Sequence, residues 1–153
     1  MKNRTLNNTF VTLLLVGALG YGGIVAAHDI NGALGAAAGA TDYYQVTCFD
    51  DNSGPADHLI VKIKDLAPVA VPIISVQVTK QVGKTFIARN STDAVDGNAT
   101  YSPELNIKGG NGTYFLAVDK TSANAETYNV QIHCETSTGL HTGTQEPVLL
   151  QNQ

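Results

Sequence analysis

The chain is 153 residues long, and its 9 basic and 13 acidic residues give a formal net charge of −4 at pH 7. This length is usual for one domain with a single hydrophobic core. The basic residues are scattered, with no basic stripe and no interleaved aromatic residues. We therefore expect neither nucleic acid nor an anionic lipid surface as a partner.

The first 27 residues have the order of a secretory signal peptide. A basic head, an apolar run and small residues follow one another: Lys2 and Arg4, Phe10 to Ile24, and Val25-Ala26-Ala27. The apolar run is about 15 residues long, shorter than the ~20 that a membrane-spanning helix requires, so a retained anchor is the less favoured alternative. We expect cleavage before His28, a periplasmic or extracellular location, and no membrane insertion after cleavage.

Residues 28–41 read HDINGALGAAAGAT and contain little to bury. A segment this rich in glycine and alanine is predicted to be a flexible N-terminal arm or a loosely held edge segment. As an alternative, the arm adds a strand to the sheet of a neighbouring molecule, which would make the protein a self-assembling subunit. Its shortage of β-branched residues weakens that alternative.

From residue 42 onward, apolar and polar residues alternate with the period of two that is typical of half-buried strands. In the first half, the expected inward positions are Tyr44, Val46 and Cys48, then Leu59, Val61 and Ile63, then Ile74, Val76 and Val78. A weaker strand is expected over Thr85 to Arg89. No segment has the 3.6-residue apolar period of a helix, so residues 42–153 are predicted to form an all-β, single antiparallel β-sandwich.

The second half continues the alternation. Its strands are Leu105 to Lys108, then one with Tyr114, Leu116 and Val118 inward, one with Tyr128, Val130, Ile132 and Cys134 inward, and a short one over Pro147 to Leu150. The residues Gly109-Gly110-Asn111-Gly112 accept positive φ at low cost. They are therefore predicted to form a hairpin turn between the strands on either side.

The two cysteines, Cys48 and Cys134, are predicted to form one disulfide, because an even pair in an exported chain is most simply oxidised. The strand alternation points both sulfur atoms into the core. The alternative is a pair of thiolate ligands in a copper site.

Several strand segments carry a family resemblance. The segments Gly110–Val118 and Tyr128–Ile132 fit a closing hairpin of the form G-x-Y-x-hydrophobic-x-V and Y-x-hydrophobic, while Asp42–Val46 and Asp57–Val61 fit two earlier strands. Together they resemble the bacterial pre-peptidase C-terminal (PPC) domains, over most of Asp42 to Cys134. The resemblance implies a jelly-roll-like sandwich that serves as an accessory or binding module without catalytic activity.

Four histidines are candidate copper ligands: His28, His58, His133 and His141. After cleavage, His28 would offer its terminal amine and its imidazole together. His58 and His133 fall on the polar, outward side of their strands, and His141 follows in a loop. The N-terminal histidine is similar to the histidine brace of copper-dependent polysaccharide monooxygenases and of periplasmic copper carriers. The alternative is that these are ordinary surface histidines.

Two acidic loops are candidate calcium sites, since calcium binds carboxylate and amide oxygens. The carboxylates are Asp50, Asp51 and Asp57 in the first loop and Asp93 and Asp96 in the second. The alternative is turn formation, which favours the same residue types.

The sequence contains no G-x-S-x-G or H-E-x-x-H motif. The leading hypothesis is therefore an exported, non-enzymatic β-sandwich that binds or assembles with an envelope or extracellular protein, or with itself. A periplasmic copper-binding protein that uses His28 is the second hypothesis, and a copper-dependent monooxygenase is the third.

Overall fold

A computed structural model describes residues 27–68, 71–95, 97–98 and 100–153. The predicted signal peptide lies almost wholly outside these residues. The strands are β1 (His28–Leu34), β2 (Asp42–Phe49), β3 (His58–Asp65), β4 (Ile74–Val82), β5 (Thr85–Thr92), β6 (Leu105–Lys108), β7 (Gly112–Lys120), β8 (Glu126–Glu135), β9 (His141–Thr144) and β10 (Val148–Gln151). The described residues include no helix, and hence none long and apolar enough to cross a membrane.

The strands form two antiparallel layers that the short strand β9 joins. The order is β5-β4-β7-β2-β9-β8-β3-β6, with β10 also paired to β2 and β1 also paired to β8. One end of β9 pairs with β2 through Thr144 and Cys48, and the other pairs with β8 through Thr142 and Cys134. The result is a nearly closed sandwich, which confirms the predicted all-β antiparallel fold.

The inward faces of both layers form the core. The predicted inward positions of β2, β3, β4, β7 and β8 are all buried. Cys48 and Cys134 face each other between the layers, with their sulfur atoms 2.00 Å apart and their Cα atoms 5.7 Å apart. The pair lies next to β9, so the covalent link and the hydrogen-bonded link between the layers occur at the same end of the sandwich.

The glycine-rich segment after β6 does not form the predicted hairpin. β6 pairs with β3, whereas β7 pairs with β2 and β4 in the other layer. Gly110 and Gly112 have φ values of 66° and 103°, so the glycines bend the chain as expected. The bend carries the chain from one layer to the other. β7 and β8, which contain two of the PPC-like segments, also belong to different layers.

The glycine- and alanine-rich segment contains an ordered edge strand. β1 pairs along β8 from His28 opposite Ile132 to Leu34 opposite Glu126. Ile30 and Leu34 are buried and provide the apolar contacts that composition had suggested were missing. The structure thus corresponds to the edge-segment form of the prediction, with β1 paired within its own chain.

The remaining short strands differ little from prediction. β5 extends to Thr92, three residues beyond the predicted end. β10 covers Val148–Gln151 and is exposed along its whole length. β6 has the predicted bounds.

Candidate metal centre

Three histidines surround one carboxylate on the outward face of β3, β8 and β9. His133 and Glu135 are two residues apart on β8, so their side chains point to the same face. Glu135 is the cross-strand partner of His58 on one side and of His141 on the other. The strand register alone therefore brings His58, His133 and His141 to Glu135.

Two of the imidazoles direct a nitrogen to the same carboxylate oxygen. His133 Nε2 lies 3.0 Å from Glu135 Oε1, and His141 Nε2 lies 3.8 Å from that oxygen. The two rings stack with their centroids 4.2 Å apart and their planes 7° from parallel. One ligand atom from each of His133, Glu135 and His141 lies within 4.8 Å of the others, a spacing that one metal ion can bridge.

The third histidine, His58, contacts the other oxygen of the Glu135 carboxylate. His58 Nε2 lies 3.1 Å from Glu135 Oε2, and His58 Nδ1 lies 2.9 Å from Asp57 Oδ2. Each ring nitrogen of His58 therefore lies within hydrogen-bond distance of a carboxylate oxygen. Its side chain is 9% exposed although it lies on the outward face, which corrects the expectation of an ordinary surface histidine. The contact with His58 Nε2 positions the Glu135 carboxylate and leaves Oε1 directed at His133 and His141.

Asp57 belongs to this charge network. Its hydrogen bond with His58, reinforced by Lys108 at 3.7 Å, lowers the pKa of the Asp57 carboxyl. Asp57 is thus an ionised acceptor at neutral pH and positions His58.

The surroundings of His133 favour the neutral form of its imidazole. Burial lowers the pKa of His133, and the neighbouring His141 lowers it further, although Glu135 acts in the opposite direction. The imidazole is therefore neutral at neutral pH, which is the form that binds metal ions. Its Nδ1 is buried and has no hydrogen-bond partner within the described part of the protein.

Two imidazole nitrogens and one carboxylate oxygen form a ligand set that suits first-row transition metals such as zinc, copper or iron. Calcium and magnesium prefer sites made wholly of oxygen. Three protein ligands leave at least one coordination position for water or another ligand. The arrangement therefore supports binding of a divalent transition metal with an open position.

His28 does not join this group. It lies on β1 with the same parity as the buried Ile30, whereas His133 lies on the opposite face of the neighbouring β8. Its Nδ1 lies 3.0 Å from Glu146 Oε2. Of the four predicted copper ligands, the structure assembles His58, His133 and His141, with the first of these in a supporting position.

In the first predicted calcium loop, the carboxylates of Asp50 and Asp51 accept hydrogen bonds from backbone amides. Asp50 Oδ1 accepts from Asn52 N and Gly54 N, and Asp51 Oδ1 accepts from Ser53 N. These are turn contacts, which the alternative interpretation of the loop had proposed.

In the second acidic loop, Asp93 is buried and accepts hydrogen bonds from the backbone of Asp65 and Val95. Asp96 lies outside the described residues. Across residues 27–68, 71–95, 97–98 and 100–153, the only three-residue group of metal-ligating side chains is the one formed by His133, Glu135 and His141.

Sequence reasoning missed Glu135, the residue on which this group is centred. The available clue was the His-x-Glu spacing on a predicted strand, which places both side chains on one face. No protein-family model matches the chain, and no curated protein matches it at a significant level.

Proposed function

We propose that this protein is an exported β-sandwich that binds a divalent transition metal ion through His133, Glu135 and His141. The observation that carries the proposal is the convergence of two imidazole nitrogens on one oxygen of the Glu135 carboxylate, whose other oxygen contacts His58. Cu(II) is expected to bind more tightly than Zn(II), because the affinity of such nitrogen and oxygen ligands peaks at copper in the divalent series.

The sequence and the disulfide support the exported location. The chain begins with the pattern of a signal peptide, and the Cys48–Cys134 disulfide is of the kind that persists in oxidising compartments. The resemblance to PPC domains favours a binding or accessory role without catalysis. We therefore propose that the site binds the metal ion and does not use it in catalysis.

The test is calorimetric titration of the purified protein with Cu(II) and with Zn(II). We expect one ion per chain. His141→Ala removes one of three ligands and should weaken binding by at least about tenfold, equivalent to about 1.4 kcal/mol. Glu135→Gln should weaken it at least as much, because it removes the anionic ligand and its contact with His58.

A matched control separates this site from an N-terminal copper site. His28→Gln should leave the affinity unchanged, and so should one extra residue placed before His28. If either change abolished binding while His141→Ala did not, the N-terminal site would be correct and the proposal here would be wrong.

A further inference from the structure

A cavity of about 460 Å³ opens in the seam between β1 and β10. β9 fills the gap between β2 and β8 at one end of the sandwich. At the other end, β10 extends the β2 layer and β1 extends the β8 layer, and these two edge strands do not pair with each other within the described chain. The cavity therefore follows from the strand topology and lies where the two layers separate.

The seam is tied on both sides of the opening. His28 Nδ1 contacts Glu146 Oε2 at 3.0 Å near the β9 end. At the far end, Gly35 N donates to Gln153 O at 2.8 Å, and Gln151 Nε2 donates to Thr41 O at 2.9 Å. The first two bonds link the ends of β1 to the segments that flank β10, and the third ties β10 to the residue before β2.

The cavity wall carries a directed chain of hydrogen bonds. The Tyr128 hydroxyl donates to Asp42 Oδ2. The Tyr44 and Tyr128 oxygens lie 2.7 Å apart, and because the single Tyr128 proton is committed to Asp42, Tyr44 must donate to Tyr128. Asp42 Oδ1 accepts from Gln153 N at 2.9 Å. Every hydrogen of this chain thus points toward Asp42.

The two phenol oxygens give the cavity wall hydrogen-bond acceptors, and the polar residues Asn31, Thr127 and Asn152 also line it. Burial raises the pKa of Tyr128 and of Tyr44, so both remain protonated phenols at neutral pH. Their oxygens keep unused lone pairs, and the Asp42 carboxyl group lies directly behind them. Asp42 is only 1% exposed, yet no lysine, arginine or histidine among the described residues lies within salt-bridge distance of it. The hydrogen bonds from Tyr128 and Gln153 N satisfy the Asp42 carboxylate, and a ligand cation nearby would add a favourable electrostatic interaction.

We propose that the seam cavity is a second binding site, which accepts a small organic cation with a primary ammonium group and an apolar body. The ammonium group donates to the Tyr44 oxygen and compensates the charge of Asp42. The apolar body lies against Leu66 and Leu149, which also line the cavity. The volume is within the range of about 300–1,000 Å³ that small-molecule sites occupy.

The test uses three probes of nearly the same shape that differ in charge: benzylammonium, benzyl alcohol and benzoate. Each is titrated into the purified protein while backbone amide shifts are followed by nuclear magnetic resonance. We expect saturable shifts at Gly32, Ala33, Tyr44 and Leu149, strongest binding for benzylammonium, weaker binding for benzyl alcohol, and none for benzoate. Benzoate binding equal to that of benzylammonium, or no saturable shift with any probe, would overturn the proposal.

Tyr44→Phe removes the proposed acceptor in the cavity wall and leaves the bond between Tyr128 and Asp42 in place. It should weaken benzylammonium binding about threefold to tenfold, the effect of one hydrogen bond. Tyr43→Phe is the matched control, because it makes the same change on the opposite face of β2, where Tyr43 stacks on Phe115 at 5.6 Å. Equal effects of the two variants would contradict the assignment.

Leu149→Arg provides a variant in which folding is not at stake, since Leu149 is 46% exposed. It places a fixed cation at the rim of the cavity and should abolish benzylammonium binding without lowering thermal stability. Undiminished binding would show that the probe lies elsewhere. The metal titration of the His133 group should be unchanged in this variant, so the two proposals succeed or fail separately.

Discussion

The close approach of β1 to Tyr128 makes Gly32 a position where one methyl group should have a large effect. Gly32 is the cross-strand partner of Tyr128. A Cβ atom at Gly32 would lie 2.2 Å from both Cζ and Oη of Tyr128 and 2.8 Å from Cε1. The Tyr128 ring is 0% exposed and hydrogen-bonds to Asp42 and Tyr44, so it cannot turn aside without breaking those bonds.

The expected loss can be worked out from two contributions. Overpacking of a well-packed interior costs about 1–3 kcal/mol. If Tyr128 withdraws, the buried Asp42 carboxylate loses a donor, which costs about 1–3 kcal/mol more. Gly32→Ala should therefore lower the free energy of unfolding by about 2–6 kcal/mol, a large share of the ~5–15 kcal/mol typical of a domain.

Urea denaturation followed by circular dichroism measures this loss. With a slope of about 1–3 kcal/mol per molar urea, the midpoint should fall by about 1 M or more. Gly39→Ala is the control, since it adds the same methyl group in an exposed loop where nothing lies within 4 Å. That variant should change stability by less than about 0.5 kcal/mol. Equal midpoints for the two variants would show that Tyr128 is not confined by β1 and would refute the reasoning.

Three further predictions concern the disulfide, pH and calcium. Reducing Cys48–Cys134, whose cysteines are 86 residues apart, should cost about 4–5 kcal/mol of unfolding free energy, and an unchanged urea midpoint after reduction would contradict this. The pKa of His133 is lowered in the folded protein, so the unfolded chain binds a proton more readily than the folded one. The stability that neutral His133 contributes is therefore complete above pH 6.5, the ordinary histidine value, and is lost as the pH falls through the lowered pKa. Metal affinity should fall in the same range, and a pH-independent affinity between pH 5 and about 7.5 would argue against histidine ligands. Asp93→Ala should lower stability by about 2–4 kcal/mol through its two lost backbone bonds, and calcium should leave the melting temperature of the unaltered protein unchanged.

The alternation of apolar and polar residues predicted the inward and outward faces of the strands well, because the polarity of each side chain indicates whether it is buried. The buried positions of β2 and β8 follow directly from the apolar residues at every second place. Pairing between strands was harder to predict. The glycines at 109–112 show that the chain turns, but the direction of the turn depends on contacts remote in sequence. One such contact is the Lys80 ammonium donating to Asn111 O at 2.9 Å.

The nature of β1 could not be derived from composition for a similar reason. Gly32 is unfavourable in an isolated strand because glycine has no side chain to pack. In the folded protein its missing side chain lets the backbone of β1 rest directly on Tyr128. Gly32 is therefore favoured by its contact with Tyr128 on β8, almost a hundred residues away in sequence.

The candidate metal centre was partly predictable. The polar faces of β3 and β8 indicate His58 and His133. The position of His141 depends on the pairing of β9, a segment that the sequence predicts to be a loop. The predicted terminal amine makes His28 a candidate ligand in the sequence, whereas the face of its strand excludes it from this group. Its parity with Ile30 places it on the side away from His133.

The position of β9 connects the metal centre with closure of the sandwich. β9 joins the two layers by pairing with both β2 and β8, and it also supplies His141. A metal ion held by His133 and Glu135 on β8 and by His141 on β9 would cross-link these strands on the outward face, while Cys134 is fixed by the disulfide on the inward face. Because binding to the folded state alone adds RT ln(1 + [L]/Kd) to stability, metal should stabilise this closure and raise the melting temperature. The gain should survive reduction of the disulfide, since the metal ligands do not depend on the sulfur atoms.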